Sequence, residues 1–139
     1  MKADGHICSV AVSKDGRWIV TGDRGKKAVL WNAATHEKMR EFTEHGHHVY
    51  AVDISSDGAK MAAADYLNAQ VFSITSGDRF LPPLPHPSVV GVKFSPYDSR
   101  FATVSTNNGF RVYSTHNGNI LFDSGKKGST RTELVVPLA

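Results

Sequence analysis

Short apolar runs, each closed by a turn or a Gly-containing loop, succeed one another along most of the chain. Ile7–Ser13 is rich in β-branched and apolar residues and stops at Asp15-Gly16. Trp18–Thr21 follows, then a Gly- and Lys-containing loop, then Ala28–Trp31, and after the turn Asn32–His36 a fourth run, Glu37–Phe42. Nowhere is a 3.6-residue apolar period sustained, so the pattern predicts strands throughout. Trp18-Ile19-Val20 and Met61-Ala62-Ala63-Ala64 are apolar at consecutive positions, whereas a sheet wetted on one face would alternate. Those strands are expected to be covered on both faces.

The runs recur with a fixed period. Ala28-Val29-Leu30-Trp31-Asn32, Ala69-Gln70-Val71-Phe72-Ser73 and Phe110-Arg111-Val112-Tyr113-Ser114 each place an aromatic residue after an aliphatic one and before a small polar one, and the aromatics stand 41 and 41 residues apart. A second marker keeps phase with the first: Ser13-Lys14-Asp15-Gly16, Ser55-Ser56-Asp57-Gly58 and Ser95-Pro96-Tyr97-Asp98 begin 18, 17 and 18 positions before the aromatic. Tight turns at Thr75-Ser76-Gly77 and His116-Asn117-Gly118 repeat the order of the first unit. A period of this length signals a repeat architecture. Four-stranded sheets of about 41 residues, each stacked on a like neighbour, give the cover on both faces that the apolar runs require.

At these residues the chain resembles the WD-repeat β-propeller family, over the units Ile7–Phe42, Val49–Phe80 and Val89–Asp123. The Ser-x-Asp-Gly turn and the Leu30-Trp31-Asn32 ending are the closest matches. The expected architecture is all-β: four-stranded antiparallel blades of a partial β-propeller, at about 5–44, 45–84 and 85–124. Residues 125–139 are expected to form a linker and the start of a fourth blade, because Leu134-Val135-Val136-Pro137 resembles Ser88-Val89-Val90-Gly91. Three blades cannot close a ring, and the outer faces of the end blades would expose apolar surface. The chain is then a piece of a longer propeller, a ring completed by a second copy, or an open arc; the break in mid-strand favours the first.

The resemblance also implies a polar network in each blade, joining a His before the first strand, a hydroxyl in the second, an Asp after it and the Trp of the third. Unit one offers Trp31 and Thr21, with Gly25 where the Asp is expected and Asp23 two residues off. Unit two offers His45, with Phe72 for Trp and Ala62 at the hydroxyl position. Unit three offers Thr103, Asn107 and Tyr113, with His86 out of register by one. Phe72 has no donor, so packing must carry that blade. Trp31, Phe72, Tyr113, Asp15, Asp57 and Asp98 are read as structural repeat positions.

Composition narrows the function classes. The chain has 139 residues, 16 Lys and Arg against 13 Asp and Glu, and one Cys. Cys8 alone excludes a disulfide framework and a multi-thiolate zinc site, which favours an intracellular protein, cytoplasmic or nuclear. No run reaches the ~18 apolar residues of a membrane span, and Lys2, Asp4 and His6 interrupt any leader in Met1–Ser13. His45, His47 and His48 lack a carboxylate or thiol at fixed spacing, so no metal site is expected. Gly22–Lys27 and Gly125–Thr130 lack the phosphate-loop spacing and open no helix. No Ser lies in a nucleophile elbow, and no acid pair stands out, so the chain is not expected to be an enzyme or to need a cofactor. What remains is a protein-interaction module, with partners on the rim loops. Arg24, Lys26, His48, Tyr66, Asn108 and Lys126 are the candidate contacts, Tyr66 foremost. The expected partners are other proteins, with a second copy or the remaining blades of a longer chain as further candidates. The alternative is a basic rim, built on the two lysine loops, that binds nucleic acid or acidic polymers. Pro82-Pro83-Leu84-Pro85 is read as a stiff connection between the second and third blades.

Overall fold

The structure, a computed structural model, describes residues 6–43 and 45–125. Lys126 and the expected opening strand of a fourth unit at 134–139 lie outside the described residues. Twelve strands follow in chain order: β1 Ile7–Val12, β2 Trp18–Asp23, β3 Ala28–Asn32, β4 Lys38–Phe42, β5 Val49–Ile54, β6 Lys60–Asp65, β7 Asn68–Ser73, β8 Leu84–Pro85, β9 Val89–Phe94, β10 Arg100–Ser105, β11 Phe110–Ser114 and β12 Ile120–Asp123. They form three antiparallel sheets, β1-β2-β3-β4, β5-β6-β7-β8 and β9-β10-β11-β12, each a meander in sequence order. No described residue is helical. The first strand of the second sheet, β5, lies beside both β1 and β9, so the sheets fan out from a shared inner edge.

The consecutive apolar residues of β6 are explained by which way each one points. Met61 and Ala63 join the core against the first sheet, with Val20, Leu30, Phe42, Val49 and Phe72. Ala62 joins the core against the third sheet, with Val71, Leu81, Phe94, Phe101 and Tyr113, and Ala64 packs on Val89. Side chains alternate across a strand, so a strand sandwiched between two sheets is apolar at every position. Gly22 in β2 lets the second sheet come close: a Cβ there would stand 2.7 Å from Val49 Cγ1 and 2.8 Å from the Val49 carbonyl oxygen.

The proline stretch differs from its expected role. Leu84 and Pro85 form the outermost strand of the second sheet, where Asn68 pairs with Pro85 and Ala69 with Leu84. An outer edge tolerates proline because that side of the strand needs no amide donor.

The Ser-x-Asp-Gly turns are built alike in the first two sheets. Ser13 Oγ donates to Asp15 Oδ1 at 2.7 Å and Ser55 Oγ to Asp57 Oδ1 at 2.6 Å, while Gly16 and Gly58 take φ of 77° and 73°. In the third sheet Asp98 occupies the glycine's place, with φ of 65°, and Tyr97 stands where the other turns have Asp. The Asp98 carboxylate reaches back to the second sheet instead. It accepts from the Ser56 amide at 2.7 Å, the Ser56 hydroxyl at 2.8 Å and the Asp57 amide at 3.1 Å.

Candidate functional site

The polar networks hold the loops from which the candidate contacts project. In every sheet the acceptor that shapes the hairpin after the second strand is the last residue of that strand: Asp23, Asp65 and Ser105. Asp23 Oδ1 accepts from the Lys27 amide at 3.1 Å, Asp65 Oδ1 from Leu67 and Asn68 at 2.9 and 2.8 Å, and Ser105 Oγ from Asn107 and Asn108 at 3.1 and 2.9 Å. Gly25 and Asn107, the positions expected to carry the acid, sit further along the hairpin. Strand register also moves the missing hydroxyl of the second sheet from Ala62 to Ala63. Thr21 pairs with Val29, Ala63 with Gln70 and Thr103 with Arg111. The hairpin at Tyr66-Leu67 is one residue shorter than its counterparts, and counting back ten from the aromatic therefore overshoots.

Each sheet keeps part of the network. Trp31 Nε1 donates to Thr21 Oγ1 at 3.0 Å. His45 Nδ1 lies 2.8 Å from Asp65 Oδ2, and both side chains are buried. His86 Nδ1 lies 2.7 Å from Thr103 Oγ1, and its Nε2 is 3.3 Å from the Asn108 carbonyl. With Ala63 and Phe72 where a hydroxyl and an indole would stand, His45 Nε2 is buried without a partner. Burial pushes the Asp65 carboxyl up. The His45 bond and the Leu67 and Asn68 amides outweigh that and leave it below its ordinary value.

These anchors bring three predicted contacts together. Lys26, His48 and Tyr66 line one surface depression of about 420 Å³, with Gly46, His47 and Tyr50. Its walls are the hairpin of the first sheet, the hairpin of the second and the linker between the two sheets. The His45–Asp65 bond ties that linker to the second hairpin. The same hairpin is pinned on its other side, where Tyr66 and Leu67 carbonyls accept from the Ser88 and His86 amides at 2.6 and 2.9 Å. Tyr66 is 46% exposed on this fixed hairpin, with the His47 ring 6.2 Å away; the His48 and Tyr50 rings meet edge-on at 5.8 Å. Among the described lining residues there is one lysine and there are two imidazoles, and no carboxylate.

The remaining candidates stand apart. Arg24 is exposed on the first hairpin but does not line the depression. Asn108 is half-buried in the third hairpin, where its Nδ2 donates to the Pro87 carbonyl at 3.3 Å. Lys126 lies outside the described residues. His47 and Tyr50 were not among the expected contacts. An aromatic at the second position of a strand whose neighbours Val49 and Ala51 are buried was the available signal for Tyr50. His45 turns inward to Asp65, so the three histidines do not converge. Among the described residues no group of three or more His, Cys, Asp or Glu is placed to hold a metal ion.

Comparison with known proteins adds three findings. Residues 2–32 and 36–80 match the family model of the WD domain, G-beta repeat. A 40-residue stretch is 35% identical to U3 small nucleolar RNA-interacting protein 2 of Homo sapiens, and equally to that of Mus musculus; it covers 29% of this chain and 8% of each relative. The chain thus spans less than a tenth of the length of these relatives. The Kuenenia stuttgartiensis hydrazine synthase structure superposes with a TM-score of 0.77 over 87% of this chain and 36% of that one, at 17% identity. At that identity the likeness establishes the propeller-type fold alone.

Proposed function

The chain belongs to the WD40 repeat family, and from that premise we propose that it is an intracellular, non-catalytic protein-interaction scaffold whose partner docks in the rim depression of Lys26, His48 and Tyr66. WD40 repeats generally mediate protein–protein interaction. The observation that carries the proposal is the convergence of those three side chains, from three separate segments, on one surface with His47 and Tyr50. Large aromatics on fixed loops anchor interfaces at low entropic cost, because little freedom is left to lose on binding. The depression has cations and ring edges but no acid among its described lining, so it suits an acidic or polar peptide segment. Arg24 extends the same charge along the first hairpin. Among the described residues no helix is long and apolar enough to cross a membrane.

Selection of a displayed peptide library on the full chain tests the proposal. Tyr66→Ala and His48→Ala should each weaken the selected peptide by about tenfold while the thermal midpoint stays put. Peptides that bind both variants as well as the parent would overturn it.

A second reading has one observation behind it: the name of the matched relatives describes an RNA-interacting protein. Lys26, Arg24 and the rings of the depression could then hold a single strand by phosphate contact and stacking. Binding of a single-stranded RNA oligonucleotide that collapses between low and moderate salt would favour it, whereas peptide docking should persist.

A further inference from the structure

A second depression, of about 340 Å³, lies between the first and second sheets. It is walled by residues that open β2 and follow the β5–β6 turn and β7, so it sits at the end of the sheets opposite the rim depression. Its floor is apolar. Leu30 and Ile74 are buried, Trp18 is half-buried and Met39 is 47% exposed. Gly58, with φ of 73°, contributes no side chain to fill the space. Two guanidiniums flank the floor. Arg17 lies with its Cζ 5.2 Å from the centre of the Trp18 ring, and Arg40 Nη2 donates to the Thr75 carbonyl at 3.2 Å.

Neither charge is met by an acid of the described chain. No carboxylate is among the described lining residues, and no ion pair joins either guanidinium to a described acid. Asp15, two residues from Arg17, accepts instead from the Ser13 hydroxyl at 2.7 Å and the Arg17 backbone amide at 3.0 Å. A guanidinium carries five donors, so both arginines keep a fork free for a carboxylate. The ring under Arg17 and the carbonyl beside Arg40 already restrain them, which lowers the ordering cost of a further contact.

The second junction shows that the fold does not impose this chemistry. Strand register puts Lys60 in the place of Trp18 and Phe80 in that of Met39. Along the turns, Asp98 stands for Gly58, Thr115 for Ile74 and His116 for Thr75. These five line the corresponding depression, of about 360 Å³, where Lys60 Nζ lies 4.6 Å from the centre of the Phe80 ring. The same place in the fold is therefore polar and mixed in charge at the second junction, but apolar and purely cationic at the first.

We propose that the depression of Arg17, Trp18 and Arg40 is a second docking site, for an acidic peptide segment in which carboxylates flank one large apolar residue. The apolar side chain rests on Trp18, Leu30, Met39 and Ile74, and the carboxylates pair with Arg17 and Arg40. Arginine and tryptophan side by side are the residues that most often anchor an interface, and the unthreaded thioether of Met39 adapts to the shape laid on it. The site is independent of the rim depression, so Tyr66→Ala and His48→Ala should leave it unchanged.

The test titrates the full chain with the acetylated and amidated peptide Asp-Asp-Leu-Asp-Asp and reads tryptophan fluorescence. A saturable change is expected that Trp18→Phe abolishes, since Trp31 is buried. Arg17→Gln and Arg40→Gln should each weaken binding by about threefold or more, and Ser in place of Leu in the peptide by about tenfold. Lys14→Gln, which removes the same charge from an exposed position in the β1–β2 turn, should leave binding unchanged. Thermal midpoints confirm that each variant is folded. No saturable change with the parent chain overturns the proposal, as does equal binding of the Ser peptide, or a loss on Lys14→Gln as large as on Arg17→Gln. An oligouridine that binds here more tightly than the peptide overturns it too, by assigning the site to nucleic acid.

Discussion

His86 has no exposed surface, yet it is a titratable group beside a strand, with Thr103 Oγ1 on one ring nitrogen and the Asn108 carbonyl facing the other. Burial holds its pKa below the ordinary 6.5, against a smaller upward pull from the Asn108 carbonyl. The unfolded chain therefore binds the proton more readily than the folded one. The stability that His86 contributes is complete above pH 6.5 and is lost as pH falls from there toward the folded value. Asp65, whose carboxyl is held below its ordinary 3.8, loses its contribution only further into acid. Thermal midpoints measured between pH 7.5 and 5.5 should fall for the parent chain, and His86→Gln should have a lower midpoint but a flatter profile. An unchanged slope in the variant would assign the pH dependence elsewhere. The left-handed residues carry a different kind of cost. His36 holds the place that Gly77 and Gly118 hold in the other turns, and among the described residues no neighbouring sheet covers it.

Among the turns, the third shows how one substitution changes an element's duty. Asp98 gives up the glycine that suits φ of 65° and gains three hydrogen bonds to Ser56 and Asp57 of the neighbouring sheet. Asp98→Gly would relieve about 1–2 kcal/mol of backbone strain and remove bonds of about 1.5 kcal/mol or more apiece, discounted for partial exposure. The net expectation is a loss of about 1–3 kcal/mol in denaturant unfolding, whereas His36→Gly, which gives up no such bond, should gain up to about 1 kcal/mol. Elements of this kind separate what could be read in the sequence from what could not. The strands and their period were legible because short apolar runs and turn residues are local. The Asp98 clasp was not, since Ser-Pro-Tyr-Asp matches its counterparts in outline and the contact spans 42 residues. The hydroxyl position of the second sheet was misplaced by one for a similar reason: a hairpin shortened by a single residue leaves the aromatic period intact while shifting the register behind it. In the candidate site, Lys26, His48 and Tyr66 were readable as loop residues, but their convergence depends on the His45–Asp65 bond across 20 residues.

At the scale of the whole molecule, stability is close to a sum over sheets and the junctions between them, since each sheet touches only its neighbours. Among the described residues the second sheet has two junctions, and the end sheets have one each. Burial records this directly: β6 is buried from Met61 to Asp65, while β1 and β12 are largely exposed, with Val10, Val12, Ile120, Leu121 and Phe122 among the large apolar side chains facing solvent. The two ends are not equivalent. The first sheet is held by the larger core, Val20, Leu30, Phe42, Met61 and Phe72 among its members, and by the close approach at Gly22. The third rests on the smaller core around Phe101 and Tyr113, whose rings stack at 5.0 Å, and Tyr113 leaves its hydroxyl buried without a partner. Local opening takes the least-covered unit first. Native-state hydrogen exchange should therefore rank the sheets: β6 and β7 slowest, β2 and β3 next, β10 and β11 fastest. Because opening of the third sheet also frees the Asp98 clasp, Asp98→Gly should speed exchange in β10 and β11 more than in β2 and β3. Uniform acceleration across all three sheets would show instead that the molecule opens only as a whole, and the additive account of its stability would fail.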